Sequence, residues 1–591
     1  MPISRREFVR RSGATAGGVG LFANFDSVAP FLLSAQRLEL PAPTQFPTLN
    51  LRARGWLHFL WDKTTTHDDW SSSGTPHEWW DRYSVPGVQS YPRFDLQLSS
   101  YALLLMADQT PAWREVYTRI LDGLASRFPT YWGAIDWLTQ IGDDPERAKY
   151  SDDELALLPP QLRGKYNRIG WTANGVQPWG LQPDPMGADG FLFFRGWFNL
   201  VLSIYKYVSG DDKWERPFKV TGYRDQEFEW DHGRIADLLE RQYAQRPEGP
   251  HCENTKIWFL CNSAAALGIY LYDKLHGTQK YLRVEAWLEY ARRNYMSVSS
   301  SGNLEWITRY YDPLANYKFN RGPVGGVDVS FLLLPQQREL ATFLYDAAAN
   351  ALGWRNPSRP APSASLALIL ARELGDDAAA TRMSAAAERA NDPRFFGEHN
   401  EKFGWFFGLN EAYPRGQESA MMMVSEVGEK GAWARAFEAR HTNKFTAPTV
   451  EGINFPALGV YQAWNDTGTG MLHVGTYAPM PERRGRDTTW RVTGLPNAAD
   501  VRVLCDGQPF TRFDTVNAST IRLNTTIDNL YFQIFTNYQG SGRIAGGDTR
   551  SFGEAASVVP VTQPPTQNPG DIKKAAATLL AGGGPQCPCC A

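Results

Sequence analysis

The stretch Pro250 to Thr278, PHCENTKIWFLCNSAAALGIYLYDKLHGT, limits the fold more than any other. From Ile257 to Leu271 apolar residues fall at nearly every helical angle, the mark of a helix enclosed on all sides rather than laid on a surface. Lys274 and His276 in its last turn, followed by Gly277, give it a defined end. Cys252 and Cys261 lie nine residues apart, a separation that on one continuous helix turns them to opposite faces. They converge only if Cys252 sits on the loop before the helix. A Cys-Glu-Asn corner, Cys252 to Asn254, then stands at the mouth of a cavity that Cys261 lines from inside. The competing reading is plain burial, since cysteine is commonly used as a small hydrophobe.

Helical patterns run from Leu51 to Trp464, broken by Gly, Pro and Asp. They predict helices over Leu51–Asp62, Phe94–Met106, Trp113–Arg127, Phe191–Val208, Ile235–Tyr243, Ile257–Leu275, Tyr281–Asn294, Pro335–Leu352, Ser363–Leu374, Ala378–Ala390, Gln417–Val427 and Phe455–Trp464. Phe191–Val208 is also apolar all round, whereas Tyr281–Asn294 turns Arg283, Glu285, Glu289, Arg292 and Arg293 to water. Inner helices shielded by outer ones are what an α/α barrel requires. After Asn465 the period changes to two, and Met471–Thr476, Thr489–Val492, Val501–Leu504, Ser519–Leu523 and Leu530–Phe535 read as strands of a small module that leans on the helices for burial.

The chain of 591 residues is 43% hydrophobic, enough for one large core with smaller attachments, and its formal charge of −3 with no basic run argues against nucleic acid as a partner. Ser4, Arg5, Arg6, Glu7, Phe8, Val9 and Arg10 match the twin-arginine export pattern, with a Gly/Ala segment to about Ala23 and cleavage expected near Ala35. The expected location is periplasmic or extracellular, with no membrane span left after signal cleavage. The mainly α chain thus divides into a signal peptide at 1–35, a helical domain at 36–465, a β-module at 466–545 and a flexible Gly/Pro/Cys tail at 546–591. Of the nine His none has metal-ligand spacing with another, and Cys587, Cys589 and Cys590 in the tail lack zinc-site spacing. The expected metal set is therefore empty.

The C-E-N at Cys252, the C-N at Cys261 and the L-Y-D-x-L-H-G-T ending at Thr278 resemble the linalool dehydratase/isomerase family. The resemblance, from roughly Tyr91 to Pro479, implies an (α/α)6 barrel whose cavity takes a small hydrophobic substrate between two such cysteines without a cofactor. It also implies a homo-oligomer with sites near subunit interfaces. In that family an Asp followed six residues later by a Tyr supplies acid/base and hydroxyl-orienting groups, and Asp95 and Tyr101 have that spacing. Asp95 without the family is a first-turn carboxylate that complements a helix dipole. Glu253 either relays a proton beside Cys252 or caps the following helix. Where the family carries a cavity His after Ser-Gly, this chain has Arg195, Gly196 and Trp197, so Trp197 is a substrate contact, with Phe194 beside it, or plain packing.

The activity implied is hydro-lyase or isomerase chemistry on a small alcohol or alkenol such as a terpenol. Cys252 and Cys261 exchange protons, Asp95 handles the hydroxyl and Tyr101 orients it. Two alternatives compete. One is a glycosidase, pairing Asp95 or Glu253 with Glu411 or Glu418, with Asp328 a further carboxylate; the other is a barrel that only binds a hydrophobic ligand. Two thiols facing one substrate would also stand within disulfide reach of each other.

Overall fold

The computed structural model describes residues 46–68, 77–81, 88, 92–129, 176–177, 180–181, 184–188, 190–221, 226–252, 256–313, 316–438 and 442–540. The chain divides into two units, Met1–Pro47 and Thr48–Ala591, and every element named below belongs to the second. The export pattern, Glu253 and the Cys-rich tail lie outside the described residues.

Thirteen α-helices occur among the described residues: α1 (Leu51–Thr65), α2 (Pro92–Gln109), α3 (Glu115–Arg127), α4 (Leu192–Ser209), α5 (His232–Gln245), α6 (Phe259–His276), α7 (Tyr281–Asn294), α8 (Val327–Leu333), α9 (Arg338–Leu352), α10 (Ser365–Leu374), α11 (Asp377–Ala390), α12 (Gly416–Val427) and α13 (Ala432–Glu438). The two helices without a polar side, α4 and α6, pack on each other through glycines. A Cβ on Gly196 would stand 2.7 Å from that of Ala265, and one on Gly268 would stand 3.0 Å from the Leu200 backbone nitrogen. Gly277, at φ +71°, ends α6 in the left-handed conformation that favours glycine.

Neighbouring helices follow a rule of alternation. Helix α2 touches α4, α4 touches α6, α6 touches α8, α8 touches α10, α10 touches α12, and α12 returns to α2. The odd-numbered α3, α5, α9 and α11 lie against this series, and α7 turns Arg283, Glu285, Glu289, Arg292 and Arg293 to solvent as its charge pattern predicts. An antiparallel meander interrupts the helices: β1 (Met296–Val298), β2 (Leu304–Asp312) and β3 (Tyr317–Arg321), with Ile257–Trp258 pairing onto β2 just before α6.

The C-terminal region forms two antiparallel sheets from β4 (Thr449–Glu451), β5 (Gly459–Asp466), β6 (Met471–Tyr477), β7 (Asp487–Thr493), β8 (Arg502–Cys505), β9 (Phe513–Asn517), β10 (Thr520–Thr526) and β11 (Tyr531–Phe535). One sheet runs β4-β7-β10-β9, and the other runs β5-β6-β11-β8 and ends on Gln508–Pro509. Trp490 of the first meets Phe532 of the second edge to face, with ring centres 5.3 Å apart, so their inner faces share a core. The expected helix over Phe455–Trp464 is corrected by β5, which pairs with β6 from Gly459↔Tyr477 to Asp466↔Met471. Its apolar residues suit either period, and the ladder offered by β6 decides between them. The outer edge of β5 is covered, because Leu49 N–H donates to the Tyr461 carbonyl at 2.8 Å and Ala112 N–H to the Ala463 carbonyl at 3.2 Å. The Glu115 carboxylate accepts from the N–H groups of Gly452 and Ile453 at 2.8 and 2.9 Å, which ties α3 to the loop after β4.

Candidate active site

A cavity of about 310 Å³ opens among the even-numbered helices. Phe94, Leu98 and Tyr101 reach it from α2, where spacings of four and seven residues put them on one face. Trp197 comes from α4, Leu260 from the first turn of α6, Asp328 and Phe331 from α8, Ser365 from α10, and Gln417, Glu418 and Met421 from α12. Arg309 of β2 closes one side and pairs with Asp328. Most of this wall is apolar, as small-molecule sites generally are.

Three polar groups stand out on it. The Tyr101 hydroxyl and the Trp197 indole N–H are buried and have no hydrogen-bond partner among the described residues. Burial pushes the Tyr101 phenol well above its ordinary range, so it stays a neutral donor. Tyr101 is fixed by Trp433 at 5.1 Å and Phe331 at 5.9 Å, and Trp197 by an edge contact with Phe94 at 5.8 Å. Glu418 touches the cavity and is otherwise enclosed by protein; burial, with the Asp81 charge adding, pushes its carboxyl up to about 7, against a weak hydrogen bond from Ser365 at 3.5 Å. A carboxyl of that kind exchanges protons near neutral pH.

Asp95 sits one residue beyond Phe94 and so roughly 100° around α2, and it is not among the cavity's lining residues. It binds Lys63 of α1 through both oxygens, at 2.6 and 2.8 Å, and accepts the Asp81 N–H at 3.2 Å. Burial raises its pKa to about 6, Lys63 opposing and Asp81 adding. The Asp81 carboxylate caps α12 by accepting from the N–H groups of Gly416 and Gln417, both at 2.8 Å. Gly416 is required there, since a Cβ would fall 2.2 Å from the Asp95 carboxyl.

Cys252 lies on the loop before α6 and Cys261 in its first turn, both fully buried and outside any disulfide. The loop is held by the Cys252 N–H donating to the Lys256 carbonyl at 2.7 Å and by the His251 carbonyl accepting the N–H of Leu192 at the start of α4, at 3.2 Å. Both thiols lie within electrostatic reach of Tyr243 of α5, whose hydroxyl donates to the Asn262 carbonyl at 2.7 Å. Burial raises the Tyr243 phenol well above its ordinary range, with Tyr281, Cys261 and Cys252 adding and Arg195 opposing. Neither cysteine lines the described cavity, although Leu260, next to Cys261, does. Arg195, two residues before Trp197, is buried and donates to Gln242 Oε1 at 3.0 Å and to the Ala188 carbonyl. Phe194 stacks on Phe128 at 5.4 Å and meets Phe191 at 5.1 Å, in an aromatic column off the cavity wall.

The thiol loop, the start of α6 and the helix that carries Trp197 are thus brought into one segment. Residues 171–349 match the family model of linalool dehydratase/isomerase. The linalool dehydratase/isomerase match takes in Cys252, Cys261 and Trp197 and leaves out Asp95, Tyr101 and Glu418. Among solved structures, a GH127 β-L-arabinofuranosidase from Geobacillus stearothermophilus T6 aligns over 76% of this chain and 76% of its own at 11% identity, with a TM-score of 0.22. That score carries no argument about fold or activity. No helix among the described residues is long and apolar enough to cross a membrane.

Sequence reasoning held Glu418 only as half of a carboxylate pair and passed over Arg309 and Ser365. Arg309 lies on β2, whose Thr308, Tyr310 and Asp312 are buried without any apolar alternation in the sequence to mark the strand. Glu418 had no local signal, since what sets its carboxyl apart is enclosure by helices far away in the chain.

Proposed function

We propose that this chain is a cofactor-independent hydro-lyase or isomerase acting on a small, largely apolar alcohol or alkenol within an (α/α)6 barrel. The barrel reading rests on the alternation: α2, α4, α6, α8, α10 and α12 all reach the cavity, and each touches the next even-numbered helix. The family match supports the reaction class. The observation that carries the reading is a pair of donors, Tyr101 and Trp197, that have no hydrogen-bond partner among the described residues and stand on the wall of a mostly apolar cavity. A hydroxyl group on an apolar ligand satisfies both.

In this reading Tyr101 and Trp197 hold the substrate oxygen. Glu418, protonated near neutral pH, gives its proton to that oxygen as the C–O bond breaks and water leaves. The proton on the neighbouring carbon passes to a second base, and the double bond forms from the C–H electrons. We assign that role to the Cys252/Cys261 pair, next to the lining residue Leu260 but outside the described cavity, which requires the substrate to extend beyond that cavity toward the start of α6. Asp95, held by Lys63, acts as a positioning residue for the start of α12. Export through the twin-arginine pathway and a homo-oligomeric state belong to the same proposal.

The test is product formation from a panel of terpenols and short alkenols, followed by mass spectrometry, for the wild type and for Glu418→Gln, Cys252→Ala and Cys261→Ala. Loss of turnover in all three, with retained circular dichroism, is expected. Wild-type turnover in both cysteine variants would remove the thiols from the mechanism. Ligand retained without product across the panel would leave a binder.

A second reading has one observation in its favour, since Asp328 and Glu418 border the same cavity as a glycosidase pair would. Asp328 is engaged by Arg309. Release of reducing sugar from a glycoside panel would favour this reading over the first.

A further inference from the structure

Glu215, His232 and His276 meet at the end of α6 remote from the cavity, about 24 Å along the helix from Leu260 at 1.5 Å per residue. Glu215 lies on a short turn after α4, His232 opens α5 and His276 is the last residue of α6. One ligand atom from each falls within 4.8 Å of the others. Glu215 Oε1 stands 2.9 Å from His232 Nδ1 and 3.1 Å from His276 Nε2.

The outer nitrogens of the two rings decide where the protons are. His276 Nδ1 lies 3.0 Å from the Tyr272 carbonyl, which only accepts, so Nδ1 carries the hydrogen. His232 hydrogen-bonds to the Asn199 backbone, and its Nε2 lies 3.2 Å from the Ser203 hydroxyl. That hydroxyl directs its own hydrogen to the Gly268 carbonyl at 3.2 Å. His232 Nε2 is therefore the donor. With both outer nitrogens engaged, the inner nitrogen of each ring points at the same carboxylate oxygen, so three donor atoms face a common point. The two ring centres lie 5.7 Å apart, and the His232 side chain is wholly buried.

We propose that Glu215, His232 and His276 bind a divalent transition metal ion of the zinc type. Imidazole nitrogen and carboxylate oxygen are the donors such ions take, and bonds of about 2.0–2.2 Å hold tetrahedral neighbours roughly 3.3 Å apart. An outer N–H anchored on a backbone carbonyl is the usual support of a ligating histidine. Glu215 and His276 keep 22% and 21% of their side chains exposed, which leaves a side on which water completes the set. The ion would clamp the exit of α4 to the start of α5 and the end of α6, as a structural site independent of the cavity chemistry.

The experiment uses the full chain with Cys587→Ser, Cys589→Ser and Cys590→Ser, so that the tail thiols take no metal. After dialysis against a chelator it is titrated with Zn²⁺ and Co²⁺. One equivalent is expected, with a rise in Tm and visible Co²⁺ absorption bands. Glu215→Gln and His276→Ala, both at half-open positions and checked by circular dichroism, should each weaken binding at least tenfold. No uptake and no Tm change in the parent would show that protons alone hold the cluster, and unchanged uptake in both variants would place the ion elsewhere. Either result overturns the proposal.

Discussion

Lys63 Nζ stands 2.6 Å from Asp95 Oδ2, and neither side chain has any exposed surface. The pair joins α1 to α2 beside the capped start of α12, so the carboxylate that the family resemblance offered as an acid/base group is engaged by a cation. Removing either partner leaves a buried charge without its counterpart.

Lys63→Met should therefore cost about 3–5 kcal/mol of stability at neutral pH. Lys63→Met combined with Asp95→Asn should recover a large part of that loss. Urea unfolding of the three proteins checks this; a single variant within 1 kcal/mol of wild type would contradict it.

Glu418 carries a pH signature. Its carboxyl rises from the ordinary 4.5 to about 7 in the folded chain, so the folded state holds the proton more tightly than the unfolded one. The stability this contributes is fully present below pH 4.5 and is lost as pH rises through 7. Relative to wild type, Glu418→Gln should gain on the order of 1–3 kcal/mol between pH 4 and pH 8. Turnover that needs the protonated acid should fall above pH 7 in the wild type. Unfolding curves at the two pH values and a kcat profile measure both effects.

Tyr101→Phe and Trp197→Phe remove polar atoms that have no hydrogen-bond partner among the described residues. Stability should change little in Tyr101→Phe, while binding of an alcohol weakens roughly threefold to tenfold, the worth of one neutral hydrogen bond. Calorimetry with a terpenol and with its hydrocarbon analogue separates the cases, because only the alcohol should lose affinity.

The closeness of α4 and α6 is equally specific. Gly268→Ala places a methyl 2.8 Å from Asn199 Nδ2 and 3.0 Å from the Leu200 nitrogen, and should cost about 1–3 kcal/mol through overpacking. Thermal unfolding tests it, with Gly302→Ala, where nothing lies within 4 Å but φ is +83°, as a backbone-strain control.

Much of the helical framework was readable from periodicity, because a helix declares its buried faces within its own residues. Tyr281–Asn294 was read with its observed ends, and both helices lacking a polar side proved to be packing partners. The β1–β3 meander and β5 were missed for one reason. A strand is stabilised by a partner, and short apolar runs such as Gly459–Asp466 fit a helix until β6 lies beside them.

The site divides along the same line. By itself the sequence determined the enclosed helix that carries Cys261 and the condition that Cys252 converges with it only from the loop before, both consequences of helical geometry over a few turns. Only the tertiary structure decided that Lys63 would neutralise Asp95, that Glu418 would face Tyr101 and Trp197 across a cavity, and that His232 and His276 would share one oxygen of Glu215. These depend on enclosure and on contacts between residues distant in the chain, where the dielectric and the partner are set by how the helices close on one another.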